Sequence, residues 1–212
     1  NRHPEKQMKK HQQHIVAIPA HVVKSRVDGI VELPADLSDE LVLKRRATLL
    51  NDFNYRKVIP LTVFVSGGKV AAFSRKMDHQ HEALRGKITV GIGGHFEVSD
   101  LVFDGSVVDL PSSLAEASAR EVEEEVILGA RQLRAVALKQ AIAADETITD
   151  RQYIALVTVV ELEAQDIAPN QEEDELDWFG WYLPEELLSA GGDRCETWTK
   201  KICNILFNMD TL

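Results

Sequence analysis

Apolar residues recur every second position in some stretches of the chain and every third or fourth in others. The first period marks strands and the second marks helices. HIVAIPAHVVKS (14–25) predicts a first strand, with Pro19 marking an edge or a bulge. ADLSDELVLKRRATLL (35–50) has the spacing of an amphipathic helix, with Asp36 or Ser38 as its cap. KVIPLTVFVSGGKVAAFSRK (57–76) predicts a hairpin turning at Ser66-Gly67-Gly68-Lys69, where the glycines supply the positive φ of a tight turn. GKITVGIGGHFEV (86–98) reads as a further strand running into glycines, and VFDGSVV (102–108) as a small extra hairpin. A helix follows over SLAEASAREVEEEVILG (113–129), opened by a capping box of Ser113 and Glu116 after Pro111 ends the preceding segment. RQYIALVTVVELE (151–163) is a long strand, NQEEDELD (170–177) an acidic loop and WFGWYL (178–183) a short strand. A helix starts at Pro184, and an amphipathic helix fills the last twenty or so residues. Strands outnumber helices in mixed order, which predicts an α+β sandwich rather than a doubly wound sheet.

Composition narrows the classes. The 212 residues suit one domain with an added arm, and an apolar fraction of 44% supports a real core. The polar opening, residues 1–13, reads as a mobile arm, and its His3 and His11, with His14 just after it, fit a solvated tail better than a metal site. No run of about 18 apolar residues occurs, so no membrane-spanning helix and no membrane partner are expected. No long apolar stretch opens the sequence, so no secretory signal is expected. The net charge of -10 argues against nucleic acid as a partner. It still permits a phosphorylated small molecule when a cation stands between the two. Cys195 and Cys203 are the only cysteines. On a helix, eight residues separate them by roughly 12 Å along the axis, too far for a disulfide. Free thiols indicate a reducing compartment, hence the cytoplasm.

The chemistry concentrates in the helix of residues 113–129. At about 100° per residue, Glu121, Glu124 and Glu125 share one face, while Glu123 points to solvent. Val122 and Val126 form an adjacent flank that can bury. Converging carboxylates raise one another's pKa unless a cation neutralises them. A hard divalent ion takes such oxygen ligands together with substrate phosphates. Arg120 can orient one carboxylate through a forked hydrogen bond. An acidic surface helix is the plainer reading of the same residues. Upstream, Gly93 and Gly94 in GIGGH (91–95) let the backbone approach an ion or phosphate closely.

Gly-Gly at a strand end, a loop, and then REVEEEVIL (120–128) on a helix resemble the Nudix box, G-x5-E-x7-R-E-U-x-E-E-x-G-U, where U is a bulky aliphatic residue. Arg120, Glu121, Val122, Glu124, Glu125 and Leu128 stand at matching places, and the order of elements agrees over most of residues 55–205. Three departures stand out. Ser112 falls at the first Glu and Ser106 at the leading Gly; Ile127 falls at the late Gly, so the helix is expected to run longer before turning; and Phe96 to Ser113 make a longer loop than usual. The resemblance implies a Nudix-type α/β/α sandwich with a mixed sheet over residues 55–212, plus an N-terminal extension, 1–54. It also implies Mg²⁺- or Mn²⁺-dependent hydrolysis of a nucleoside diphosphate linked to some moiety. Glu124 and Glu125 would bind metal, Glu121 would bind metal or orient the attacking water, Arg120 would position Glu121, and the Gly94 carbonyl would add a ligand. Arg75, Lys76, Arg85 and His95 are candidates for substrate phosphates, and Glu146, Glu172 and Glu173 for the general base. Tyr153, Trp178, Phe179, Trp181 and Tyr182 are candidates to stack a base, although core packing is the commoner role of such residues.

Two other functions fit the same resemblance. Isopentenyl diphosphate isomerases share the fold and a similar Gly-Gly-His strand but need a cysteine near that strand, and both cysteines here read as part of the C-terminal helix. Non-catalytic Nudix-fold sensors typically lose glutamates that this chain keeps. The edge strand and the helix of residues 35–50 suit either a homodimer or a segment folded back on its own core.

Overall fold

The computed structural model of this chain describes residues 13–23, 29–34, 36–78, 82–173 and 175–208. The arm of residues 1–12, with His3 and His11, lies outside the described residues. The strands are β1 (His14–Pro19), β2 (Ile30–Glu32), β3 (Val42–Arg45), β4 (Tyr55–Ser66), β5 (Lys69–Arg75), β6 (Ile88–Thr89), β7 (Gly91–Ile92), β8 (Phe103–Asp104) and β9 (Val107–Val108). Helix α1 (Leu110–Glu125) leads into β10 (Val126–Leu128), β11 (Gln132–Ile142), β12 (Tyr153–Leu162), β13 (Ile167–Pro169) and β14 (Leu176–Tyr182). Helices α2 (Pro184–Gly191) and α3 (Thr197–Asn208) complete the described chain. The class is α+β with a mixed sheet: β1 runs antiparallel to β3 and β4, β2 to β11, and β5 to β4 and β14, while a parallel bridge joins Ile88 to Cys195.

The described residues gather into two compact units, one drawing on 13–60, 94–119 and 139–156 and the other on 61–93, 120–138 and 157–208. Helix α1 and strands β4, β11 and β12 each pass from one unit to the other.

In the first unit, β1 pairs with β3 through His14–Ala17 and with the start of β4 through Ala17–Pro19. Pro19 therefore ends the strand instead of marking it as an edge, because its missing N–H falls where pairing stops. The end of β11 pairs with β2. Val16, Ile18, Val58, Phe96, Ala117 and Ile154 form this unit's core. The helix predicted over 35–50 is absent. Two 3-10 turns, Leu37–Glu40 and Arg46–Leu49, flank β3 instead. Asp36 makes no side-chain cap, and Val42 and Lys44 alternate with Leu43 and Arg45 against β1, so sheet hydrogen bonding outweighs the helical apolar spacing. Gly105, at φ 62°, turns β8 into β9, which is the small hairpin expected in the loop.

Helix α1 starts three residues before its expected capping box. Asp109 accepts from the Ser112 N–H and hydroxyl at 3.2 and 2.6 Å, so Pro111 lies in the first turn, where no partner is needed for its missing N–H. Ser113 is buried: its Oγ donates to the Asp109 carbonyl at 2.7 Å and accepts from the Val102 N–H at 2.8 Å.

In the second unit the predicted hairpin is present. Gly67 and Gly68 sit at φ 56° and 76°, conformations costly for any residue with a Cβ, and Val65 pairs with Val70 across the turn. β5 also pairs with β14 and β6, and the second half of β4 pairs with β7. The strand expected over 86–98 is thus two short pieces with different partners. The Thr89 hydroxyl bonds both the N–H and the C=O of Gly91 at 3.2 Å and satisfies the backbone at the break. Phe64, Phe73, Ile92, Val126, Val160 and Leu162 form this unit's core. β11 is the one long strand without a sequence signal. Residues 132–135 are all exposed, so no apolar face alternates there.

Ser113→Ala is expected to leave the Val102 N–H without its acceptor, lowering the unfolding free energy by about 1–3 kcal/mol. Urea denaturation of the variant beside the wild type measures it.

Candidate active site

The last turn of α1 crowds four carboxylates, and the fold separates their fates. Glu121 is buried, Glu125 is half-buried, and Glu123 and Glu124 are exposed. Val122 and Val126 hold this turn against Phe64, Phe73 and Leu162, as their spacing predicts. Arg120 Nη1 donates to Glu121 Oε1 at 2.6 Å and lies 3.6 Å from Glu124 Oε1. A single guanidinium therefore compensates two of the clustered charges.

Glu125 is the third. Burial raises its carboxyl; Arg75 opposes that rise, while Glu121, Glu175 and Glu124 add to it, and the result is about 8. At neutral pH this carboxyl holds its proton. Arg75 is itself largely buried, which works against its charge, but Glu196, Glu125 and Glu175 hold it charged. Its Nε donates to Glu196 Oε1 at 2.7 Å. Arg75, expected to meet substrate phosphates, thus has its Nε committed to Glu196 beside the acidic helix. Neither Glu175 nor Glu196 stood out in the sequence. Glu175 lay within the acidic loop, and the only signal for Glu196 was an acid immediately before the N-terminus of α3.

The helix ends at Glu125 and does not run on. Asn170 donates from its N–H to the Glu125 carbonyl at 2.8 Å and from Nδ2 to the Glu124 carbonyl at 2.9 Å, satisfying two orphan acceptors of the last turn. Val126–Leu128 then pairs as β10 with β13. Gly129 follows where a Cβ would lie 2.1 Å from Asp166 Oδ2, so a side chain there would displace the exposed Asp166 carboxylate.

Lys76 Nζ lies 3.8 Å from Asp177 Oδ1, and Arg85 lies 4.0 Å from Glu82 at the surface. Gly94 and His95 belong to the first unit, where the His95 ring meets Tyr153 edge to face at 6.2 Å. Glu172 is exposed, and Glu146 is exposed in the first unit. Glu173 is half-buried. Trp178 packs edge-on against Phe73 and Trp181, and Phe179 stacks on Tyr182.

Cys195 is not in the C-terminal helix; it precedes α3 and bridges to Ile88 on β6. Proximity to this strand does not make it a nucleophile. Its thiol is buried, pushed up by that burial, and in contact with the Leu187 carbonyl.

Among the described residues, no group of three or more His, Cys, Asp or Glu side chains stands gathered as a ready metal centre. The donor chemistry at the end of α1 nevertheless suits a hard divalent cation. Its donors are oxygens, and burial, reinforced by the neighbouring glutamates, keeps a proton on Glu125 despite Arg75.

No protein-family model matches the chain. Protein YmaB of Bacillus subtilis (strain 168) is 22% identical over 189 residues, 87% of each chain. The crystal structure of Tm1382, assigned to the Nudix hydrolases, superposes with a TM-score of 0.69 at 20% identity, covering 93% of this chain and all of that one. At that identity the likeness establishes a shared fold.

Glu125 makes stability depend on pH. Its folded-state pKa of about 8 lies above the ordinary 4.5, so its contribution is fully present below pH 4.5 and is lost as pH rises through about 8. Glu125→Gln is expected to remove this loss. Denaturation of both proteins from pH 5 to 9 checks it, the variant gaining on the wild type as pH rises.

Proposed function

We propose that this chain, whose fold is that of the Nudix hydrolases, hydrolyses a phosphoric anhydride in a nucleoside diphosphate derivative or another phosphorylated small molecule, with Mg²⁺ or Mn²⁺ as cofactor. The observation that carries the reading is the charge-frustrated turn of Glu121, Glu124 and Glu125, one of which stays protonated at neutral pH. Those three carboxylates would hold the cation. When bound, it supplies positive charge to the phosphoryl oxygens, where negative charge develops.

The chain's own residues do the rest. Arg120 fixes Glu121 through its 2.6 Å bond and keeps that carboxylate aimed. Arg75, pinned by Glu196, keeps a permanent positive charge within electrostatic reach of Glu125 and favours loss of its proton. Lys76 and Arg85 offer cations to substrate phosphates. Glu175 joins Glu172 and Glu173 as a candidate base, and its influence on both Glu125 and Arg75 favours it over the other two.

A non-catalytic sensor of nucleotides or sugar phosphates is the second reading. The engagement of Glu121 and Glu124 by Arg120 favours it, since an arginine can satisfy those carboxylates without an ion. Turnover separates the two. The full chain incubated with Mg²⁺ or Mn²⁺ and a panel of nucleoside diphosphate derivatives is expected to release phosphate products. Glu124→Gln is expected to slow that release by about 100-fold or more, the several kcal/mol of lost charge stabilisation expressed as a rate. A wild type that binds a nucleotide yet turns over nothing in the panel is a sensor.

A further inference from the structure

The first unit buries a lysine that the proposed hydrolysis does not use. Lys57 on β4 is only 3% exposed, a rare state for a lysine without an acidic partner. Its ammonium donates to Gln152 Oε1 at 2.9 Å and lies 4.2 Å above the Tyr153 ring. Among the described residues, no carboxylate pairs with Lys57 or with the side chain of Arg46. The pattern of sides explains why such residues meet. Val58, Phe96 and Ile154 point into the unit's core, so their neighbours Lys57, His95 and Tyr153 take the other side of their segments. Phe96 N–H bonds the Val58 carbonyl at 3.2 Å, and the His95 ring meets Tyr153 at 6.2 Å, which brings the three segments together.

The neighbours make the surroundings more positive. Burial first, and Arg46 second, lower Lys57 to about 8. Burial raises the Tyr153 hydroxyl while Arg46 lowers it, and Arg46 directly follows β3, whose partner β1 pairs with Lys57 through Ala17. Lys44 caps the Tyr55 ring at 3.7 Å, two residues before Lys57 along β4. Glu97, the acid on the His95 side of its segment, is engaged by the Ser99 hydroxyl at 3.4 Å. Arg46, His95 and Tyr153 are partly exposed, so the ammonium lies under groups that solvent reaches. A buried cation near a second cation, with one amide oxygen as its only hydrogen-bond partner among the described residues, is an arrangement that an anion would stabilise.

We propose that Lys57 and Arg46, with the polar edges of Tyr153 and His95, form a binding site for a phosphate-type oxyanion. Lys57 supplies the buried point charge and Arg46 the forked donor at the rim. The site is independent of the acidic helix and stands whether or not that helix hydrolyses anything.

The test titrates the full chain with inorganic phosphate at low ionic strength in EDTA, free of divalent metal. Calorimetry is expected to show one saturable site in the wild type and in Glu124→Gln alike. Lys57→Met is expected to weaken it at least tenfold, and Arg46→Gln, a change at a partly exposed position, several-fold. In a pH titration of the Lys57 ¹³Cε resonance, saturating phosphate is expected to raise the midpoint by about one unit, because a bound anion favours the charged form. Absence of binding in the wild type at millimolar phosphate overturns the proposal. So does undiminished affinity in Arg46→Gln together with a Lys57 midpoint that phosphate leaves in place, a result that holds even if Lys57→Met fails to fold.

Discussion

Carboxylates crowded onto one helical turn repel, and the arrangement of the second unit around α1 answers that repulsion. Arg120 is shared by Glu121 and Glu124, and Arg75 lies within reach of Glu125 while Glu196 holds it in place. Glu175 and Glu196 add their charges to the three acids on the helix. Burial, reinforced by Glu121, Glu175 and Glu124, leaves a proton on Glu125. A proton is the smallest cation available to such oxygens. The crowding of acids therefore defines the site more sharply than any single contact does.

That crowding persists because the backbone around it is fixed by other interactions. Val122 and Val126 are held in the core, so the helix cannot rotate Glu121 and Glu125 into solvent. Asn170 takes the last two carbonyls and stops the helix at Glu125. Glycine at 129 lets the chain pass against Asp166 immediately after β10. Each constraint is local and ordinary, and together they keep the repulsion from relaxing through movement of the chain.

The first unit shows the opposite imbalance. Lys57 is buried beside Arg46 without a carboxylate, and aromatic faces stand where acids usually would. Cation–π contact stabilises a desolvated ammonium by about 2 kcal/mol, which is less than full desolvation costs. One unit thus crowds acids around two arginines, and the other buries a lysine that no carboxylate pairs among the described residues.

The sequence by itself determined the features set by neighbours along the chain. The Gly67-Gly68 turn needs positive φ at both positions, the β4–β5 hairpin and β12 are rich in β-branched and other apolar residues, Pro184 opens a helix, and the spacing of Glu121, Glu124 and Glu125 fixes their common face. These are short-range effects of sterics and periodicity, so they survive without knowledge of the fold. Tertiary structure decided everything that depends on a partner distant in sequence. Residues 35–50 have helical spacing yet supply β3, because β1 offers a ladder that the local pattern does not reveal. β11 has no buried face over its first residues and is a strand only through pairing. Arg75 meets Glu196 across 121 positions, and Lys57 meets Gln152 across 95. Charge compensation acts through space at a few ångströms, and no spacing rule along a chain records which distant residue the fold brings that close.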